Sequence, residues 1–175
     1  MNEEMQSANE ELTTTKEETQ SMNEELQTVN AELQSKLGNL SLVNDDLRNL
    51  LDSTDIAIVF LDADLNVRRF TRQISRVVRL IPGDVGRPLA DIKSDLDYVD
   101  FDADIREVLR SLTASEKEVS TGDGRWYQVR IMPYQTIENV TDGVVITFND
   151  VSAAKKLELE LRRLEAAATA GGNTP

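Results

Sequence analysis

Pairs of aspartates are the residues in this chain whose types and spacing come nearest to acid–base chemistry. Asp62 with Asp64, and Asp95 with Asp97, are each separated by one residue. Because Asp favours turns through hydrogen bonds to nearby backbone, turn chemistry is the better interpretation of both pairs. The chain contains no His and no Cys, which removes the commonest general base, the thiol nucleophile and the usual zinc ligands. We therefore expect no catalytic residues and no metal site, and the chain is not expected to be an enzyme.

The net charge of −13 is unevenly distributed along the 175 residues. Residues 1–52 hold twelve acids against three bases, a balance of −9, and the remainder holds twenty against sixteen, a balance of −4. Such a surface disfavours nucleic acid and anionic membranes, because both require basic side chains. The longest apolar run, Ile56 to Leu61, is too short to cross a bilayer, and the N-terminus is unlike a signal peptide. These features predict a cytoplasmic protein without nucleic-acid or membrane partners.

An Asn-Glu-Glu-Leu motif returns every seven residues along the first fifty positions, and its fourth position is apolar in six of seven copies. An apolar column at this interval stays on one side of a helix only if the helix supercoils around a partner. Residues 1–51 are therefore predicted to form a parallel two-stranded coiled coil between two copies of the chain. The leucines expected at this dimer interface are Leu12, Leu26, Leu33, Leu40, Leu47, Leu50 and Leu51.

The register of this coiled coil has two solutions. One core column contains Leu26, Leu33, Leu40 and Leu47. The second column is either the apolar set Met22, Val29, Val43 and Leu50 or the polar set Asn9, Asn23, Asn30, Asn44 and Leu51. The apolar set is more stabilising, whereas core Asn residues fix a parallel two-stranded state at some cost in stability. The Asn column equally fits a solvated position beside the core.

Residues 52–152 have the pattern of a mixed α and β domain. Ile56 to Leu61 and Leu65 to Phe70 are β-rich runs on either side of a turn, which predicts a hairpin. Thr71 is then expected to cap a helix, and 82–88 is expected to be a loop because Pro and Gly interrupt it. The apolar side of that helix would be formed by Ile74, Val77 and Val78.

Three further strands and two helices are predicted beyond this loop. Ala103 to Leu112 has helical periodicity. Lys117 to Thr121 and Arg125 to Met132 are expected to pair through a Gly-Asp-Gly turn. Pro133 would end that pairing or lie at an edge, and Val144 to Phe148 would be the last strand.

An amphipathic exit helix is predicted over 153–168, and 169–175 is expected to be a flexible tail. The order of long helix, two strands, helical segments, three strands and helix indicates an α+β fold. We expect a five-stranded antiparallel sheet with helices on one face. The apolar stripe of the exit helix is also assigned to the dimer interface, through Leu157, Leu161 and Leu164.

This order of elements resembles a PAS domain. The strongest local marks are DGRWY at 123–127, GVVITF at 143–148 and DVS at 150–152. The last is similar to the Asp-Ile-Thr signature that joins a PAS sheet to its output helix. The resemblance implies a signal-transmission junction that passes a rearrangement of the sheet into the exit helix, whereas helix capping is the simpler alternative. The junction residues are Asp150, Val151 and Ser152.

Segments 23–36, 49–57 and 81–89 are similar to the stretch that follows a CheR-type methyltransferase domain in chemotaxis methylesterase/methyltransferase fusion proteins. In that family these segments form a coiled coil followed by a PAS domain. The resemblance implies a non-catalytic sensor or relay that regulates or dimerises a methyltransferase or another linked signalling domain. Neither enzyme lies in these 175 residues. A purely structural dimerisation spacer, with a ligand-free core, is the alternative.

The resemblance also implies an interior whose residues either pack as an ordinary core or surround a small apolar ligand. Without His the usual haem ligation fails, and without Cys a flavin–cysteinyl adduct cannot form. We therefore expect no cofactor beyond an unidentified small apolar ligand. The residues expected to line this interior are Phe70, Ile74, Val77, Ile92, Leu109, Tyr127, Val129, Ile131 and Phe148.

Three arginines, Arg72, Arg76 and Arg79, recur on one side of the helix expected after Thr71. Arg68 and Arg69 come shortly before it. A solvated surface is the simpler interpretation of this set. A docking surface for an acidic partner is the alternative.

Overall fold

The computed structural model describes residues 1–138 and 140–171 of the chain. The chain divides into two units, 1–50 and 51–175. The first unit is entirely helical, and the second contains a sheet with helical segments.

Helix α1 spans Asn2–Ser53 without a break, as the absence of Pro from this stretch allows. Every residue from Met1 to Leu50 is exposed. The predicted interface leucines up to that point are between 48% and 69% exposed. A single copy of the chain therefore leaves the seven-residue apolar column in water. Leu51, the last member of the predicted set, is partly buried.

The second unit is built on five antiparallel strands, which confirms the predicted α+β arrangement. In spatial order the sheet runs β2-β1-β5-β4-β3. The first hairpin, β1 with β2, and the second, β3 with β4, both form as predicted. The strand bounds are β1 Ala57–Asp62, β2 Val67–Phe70, β3 Ser115–Ser120, β4 Trp126–Gln135 and β5 Thr141–Asp150.

Helical segments fill the connections. Three short 3-10 helices, Arg72–Arg76, Pro82–Asp84 and Leu89–Asp91, follow the first hairpin. Helix α2 spans Phe101–Ser111 and helix α3 spans Ser152–Gly171. The exit helix therefore runs three residues beyond its predicted end. The rest of the predicted flexible tail, 172–175, lies outside the described residues.

Thr71 does not cap the segment that follows it, and this prediction was wrong. The Thr71 side chain makes no capping hydrogen bond, and Arg72–Arg76 is a 3-10 helix. Instead, the Thr71 hydroxyl accepts the backbone N–H of Ile58 at 2.9 Å and donates to the carbonyl of Ile56 at 3.2 Å. Thr71 is thus used to extend the pairing of the first hairpin.

Pro133 does not interrupt the sheet. It remains paired with Val144 on β5. On the other side of β4, the pairing with β3 extends only as far as Ile131, so β3 does not lie beside Pro133. Pro133 therefore lies at a local edge, which fits its missing N–H. Strand β5 lies very close to β1 at Gly143, where an added Cβ would be 1.9 Å from the carbonyl oxygen of Leu61. Glycine is required at this position because β1 leaves no space for a side chain.

One face of the sheet packs with the helical segments into a single core. The residues predicted to line the interior are all part of it or packed against it. Six of them are buried, namely Ile74, Val77, Tyr127, Val129, Ile131 and Phe148. Three are partly buried against that core, namely Phe70, Ile92 and Leu109.

Candidate functional site

The exit junction, Asp150-Val151-Ser152, lies where β5 ends and α3 begins. The Asp150 carboxylate accepts the backbone N–H of Ser152 at 2.9 Å and the Ser152 hydroxyl at 2.5 Å. The first helical turn then closes with a bond from the Lys155 N–H to the Val151 carbonyl at 2.9 Å. Asp150 therefore shapes the turn that starts the exit helix.

The same junction is joined to the neighbouring strand through the backbone of Trp126, the first residue of β4. The Trp126 N–H donates to the Ser152 hydroxyl at 2.9 Å. The Val151 N–H donates to the Trp126 carbonyl, also at 2.9 Å. Both polar backbone groups of Trp126 are thus bound by the junction. The start of α3 is therefore bound to both β4 and β5.

Lys155, one turn into α3, makes a third connection to the sheet. Its ammonium group pairs with Glu118 on β3, and with Glu158 at 3.3 Å along its own helix. It also lies 5.4 Å from the centre of the Trp126 ring. The cation therefore holds α3 against two strands at once.

Ionisation states in this region follow from these contacts. The hydrogen bond from Ser152 lowers the pKa of Asp150, so the carboxylate stays charged at neutral pH. The bond to Glu118 raises the pKa of Lys155. Both charges that fix the start of α3 are therefore present throughout the physiological range.

The C-terminal end of helix α1 is also held by hydrogen bonds, which come from the side chain of Gln73. The side-chain amide of Gln73 donates to the carbonyl oxygens of Asp52 at 2.9 Å and of Thr54 at 3.0 Å. Carbonyls in the last turn of a helix have no intrahelical partner, so Gln73 satisfies one at the end of α1.

A pocket of about 230 Å³ opens between the irregular segments and α2. No residue of the sheet lines it. Its deepest walls are the buried side chains of Leu65, Val78, Leu89 and Ile105. The remaining lining residues are Ala90, Ile92, Ser94, Tyr98, Val99, Phe101 and Asp102.

An aromatic chain connects this pocket with the sheet. The Tyr98 and Phe101 rings in the pocket wall have centroids 5.1 Å apart. Phe101 also meets Phe148 edge to face at 6.2 Å. Phe148 is fully buried on β5, two residues before Asp150. The pocket wall therefore packs against β5, the strand that leads into the exit junction.

Tyr98 is held in the pocket wall by a hydrogen bond to a carboxylate and by a nearby ammonium group. Its hydroxyl donates to Asp104, which also pairs with Lys117. The Lys117 ammonium lies 5.3 Å from the centre of the Tyr98 ring. The bond from Lys117, with that from Tyr98, lowers the pKa of Asp104, while burial and the bond to Asp104 raise the pKa of Tyr98. Tyr98 therefore stays a neutral phenol.

Comparison with known proteins identifies the fold built around these two sites. A sequence profile described as a PAS domain matches residues 47–152. The chain belongs to the PAS family. PAS domains are usually sensor or relay modules of signalling proteins and are generally not catalytic.

One relative of this PAS chain is an uncharacterized 104.1 kDa protein of Rhodobacter capsulatus. It is 40% identical over 116 residues, which are 66% of this chain and 12% of that protein. The chain thus spans about an eighth of this relative's length. The matched segment of that relative accordingly belongs to a much longer polypeptide.

Solved structures share the PAS fold at low identity. An RNA-binding light-oxygen-voltage receptor aligns with a TM-score of 0.53 and 15% identity, covering 72% of this chain and 38% of its own. A C-terminal domain from Streptococcus mutans aligns with a TM-score of 0.50 and 15% identity, covering 65% and 88%. At such identities the likeness shows the fold alone.

The structure brings together some of the residues singled out in the sequence and separates others. Asp150, Val151 and Ser152 form one connected turn at the end of the PAS sheet, as described above. The predicted interior residues pack with one another, and of that set only Ile92 lines the pocket. On the exit helix, Leu157, Leu161 and Leu164 are between 54% and 69% exposed.

The arginine set lies on the surface of the PAS domain. Arg76 pairs loosely with Asp55 at 3.6 Å, and Arg79 with Asp95 at 3.4 Å. Arg68 makes a closer pair with Asp142 at 2.5 Å, which raises the pKa of Arg68. These are exposed ion pairs, whose contributions to stability are typically small.

Sequence reasoning missed Trp126, Lys155 and Glu118 at the junction, and Tyr98, Phe101 and Asp104 at the pocket. Only the Trp126 position carried a signal, because it lies in the segment that resembles a PAS signature. Within 1–138 and 140–171, His, Cys, Asp and Glu form no group of three or more that could hold a metal ion. In the same ranges, no helix is both long enough and apolar enough for a membrane span.

Proposed function

We propose that this chain is a homodimeric coiled-coil–PAS module that receives a signal in the PAS domain and relays it to linked signalling domains. The observation that carries the proposal is the apolar column of α1. Its leucines recur every seven residues and are about half exposed or more in a single copy. A second copy in parallel would cover them, because matching columns then face each other.

The relay step rests on the exit junction. Trp126, Ser152 and Lys155 hold the first turn of α3 against the sheet by hydrogen bonds and a cation–ring contact. A rearranged sheet would change the direction or separation of the two exit helices in a dimer. The stripe of Leu157, Leu161 and Leu164 is the surface through which those helices would meet.

The output we propose is control or dimerisation of a chemotaxis-type methyltransferase in the same cytoplasmic polypeptide. Support comes from the segments 23–36, 49–57 and 81–89, which are similar to those following the methyltransferase in such fusion proteins. The length of the Rhodobacter relative agrees with a PAS segment inside a large protein. The partners would therefore be a second copy and the adjacent domains.

This output is tested in a parent polypeptide that contains the segment. Ser152→Ala should alter the dependence of methyl transfer to receptor glutamates on the input signal. Ser152→Thr keeps the hydroxyl and should behave as the parent. Equal methyl transfer by all three proteins under all conditions would rule out control through the junction.

A structural spacer is the second candidate, and one observation favours it. The interior beside the sheet is filled by buried side chains of the chain itself, among them Val59 and Phe148. The core is therefore packed. Native mass spectrometry of the purified chain separates the two functions. A dimer that retains a small molecule supports sensing, whereas a bare dimer that binds none of the compounds tested below supports spacing.

A further inference from the structure

We propose that the pocket between α2 and the irregular segments binds a small apolar amine, in its protonated form. The proposal deepens the sensor function and depends on it only for the role of the ligand as an input. The pocket differs from the predicted interior, because its lining includes no strand residue. Its ligand would therefore bind without opening the packed core.

The volume and walls determine the size and apolar character of the ligand. A cavity of about 150 Å³ lined by Leu, Ile and Phe holds benzene. The pocket here has about 230 Å³ and a base formed by Leu65, Val78, Leu89 and Ile105. One six-membered ring with a short polar substituent fits this space.

The residues at the rim of the pocket determine which charge a ligand should carry. Asp102 lines the pocket, and its carboxylate is half exposed and paired with Arg106 at 2.8 Å. The segment that forms this wall, 91–104, carries six Asp against the single base Lys93. Asp91 and Asp100 have no ion pair within the described part of the chain. The excess of carboxylates favours a cation and repels an anion.

The aromatic side chains in the wall add to this preference. Tyr98 and Phe101 both line the pocket, and ring faces attract an ammonium group. The Lys117 ammonium already lies 5.3 Å from the centre of the Tyr98 ring, so we expect the ligand ammonium nearer to Asp102 and Phe101 than to Tyr98. Carboxylate, two aromatic rings and an apolar base together suit an aralkyl amine.

Leu65 contributes to the base of the pocket from the turn of the first hairpin. It is buried yet has a positive φ of 65°, in the left-handed region that bulky residues rarely adopt. The hairpin turn accounts for this conformation, because the Leu65 N–H donates to the Asp62 carbonyl at 3.0 Å. The Asp62 carboxylate holds this turn by accepting the N–H of Asn66 at 2.8 Å.

The test uses three probes of one size, benzylamine, benzyl alcohol and benzoate, titrated calorimetrically into the full chain at neutral pH. We expect benzylamine to bind about tenfold more tightly than benzoate, with benzyl alcohol between them. Asp102→Asn should reduce the difference in affinity between benzylamine and benzyl alcohol. The affinity for benzyl alcohol should be unchanged. Benzoate binding as tightly as benzylamine, or no probe binding at all, would overturn the proposal.

A matched pair of variants locates the site. Ala90 lines the pocket at its exposed rim, so Ala90→Phe should fill the space and weaken benzylamine at least about tenfold. Ala103 is exposed on α2 and does not line the pocket, so Ala103→Phe should change nothing. Equal affinities of the two variants would place the ligand elsewhere. Dimerisation is measured separately, so failure of this proposal leaves the relay proposal standing.

Discussion

The backbone N–H of Trp126 donates to the Ser152 hydroxyl at 2.9 Å, although the two residues are 26 positions apart. The bond joins the first residue of β4 to the first residue of α3. The Asp150 carboxylate accepts the Ser152 hydroxyl proton, so the hydroxyl oxygen is directed toward Trp126. Three elements thus meet at one side chain, which is why we place the relay there.

Replacing Ser152 should loosen the start of the exit helix. Ser152→Ala leaves the partly buried Trp126 N–H without its acceptor, and we expect a loss of about 1–2 kcal/mol in unfolding free energy. Trp126 is the single tryptophan of the chain, so its emission should shift to longer wavelength at the same time. Urea unfolding followed by fluorescence measures both effects.

Ser152→Thr is the matched control, because it keeps the hydroxyl that the PAS signature itself uses. It should retain both the stability and the emission of the original chain. An Ala variant that is indistinguishable from the Thr variant would show that the bond contributes nothing to holding α3.

The junction should also weaken in acid. The pKa of Asp150 is lowered in the folded state, chiefly by the hydrogen bond from Ser152. A lowered folded pKa contributes stability above the unfolded pKa, and this contribution is lost as the pH falls through the folded pKa. Between about pH 5 and pH 3, unfolding free energy should therefore fall less steeply in Asp150→Asn than in the original chain.

The comparison is made by chemical denaturation at several pH values. Asp102→Asn is a suitable control, because the Asp102 carboxylate is half exposed on α2 and makes no contact with the junction. Parallel pH profiles for the original chain and Asp150→Asn would contradict the assignment.

Thr71 offers a test of the first hairpin. Thr71→Val keeps the shape of the side chain but removes the acceptor of the Ile58 N–H. Thr71 is only 3% exposed, so we expect a cost of about 1–3 kcal/mol in thermal or urea unfolding. Thr113→Val, at an exposed position after α2, should cost much less. Similar costs at both positions would exclude the structural role of the Thr71 hydroxyl.

The sequence predicted what depends on periodicity. Alternation in β2, β4 and β5 and the β-rich run of β1 identified these strands, and residues such as Val129, Ile131 and Phe148 were correctly placed on one buried face. The spatial order of the strands came from the PAS resemblance, because alternation alone does not say which strands are neighbours.

What the sequence did not predict depends on distant contacts. Lys155 and Glu118 are 37 residues apart, so their pairing requires the register of β3 and the direction of α3 together. The pocket residues come from irregular segments, whose conformations have no repeating pattern to read. Thr71 was misassigned because capping is a local rule, and its hydroxyl instead bonds to a strand 13 residues earlier.

The central claim is that α1 requires a second copy of the chain, and the mass in solution tests it most directly. Sedimentation equilibrium of the full chain at micromolar concentration should give twice the 19.6 kDa mass of one copy. Leu33→Asp with Leu40→Asp should return the mass to 19.6 kDa, because buried carboxylates would face each other. Glu17→Gln with Glu24→Gln, which lie outside both candidate core columns, should remain dimeric. A mass of one copy for the unchanged chain would contradict the account, whatever its PAS domain binds.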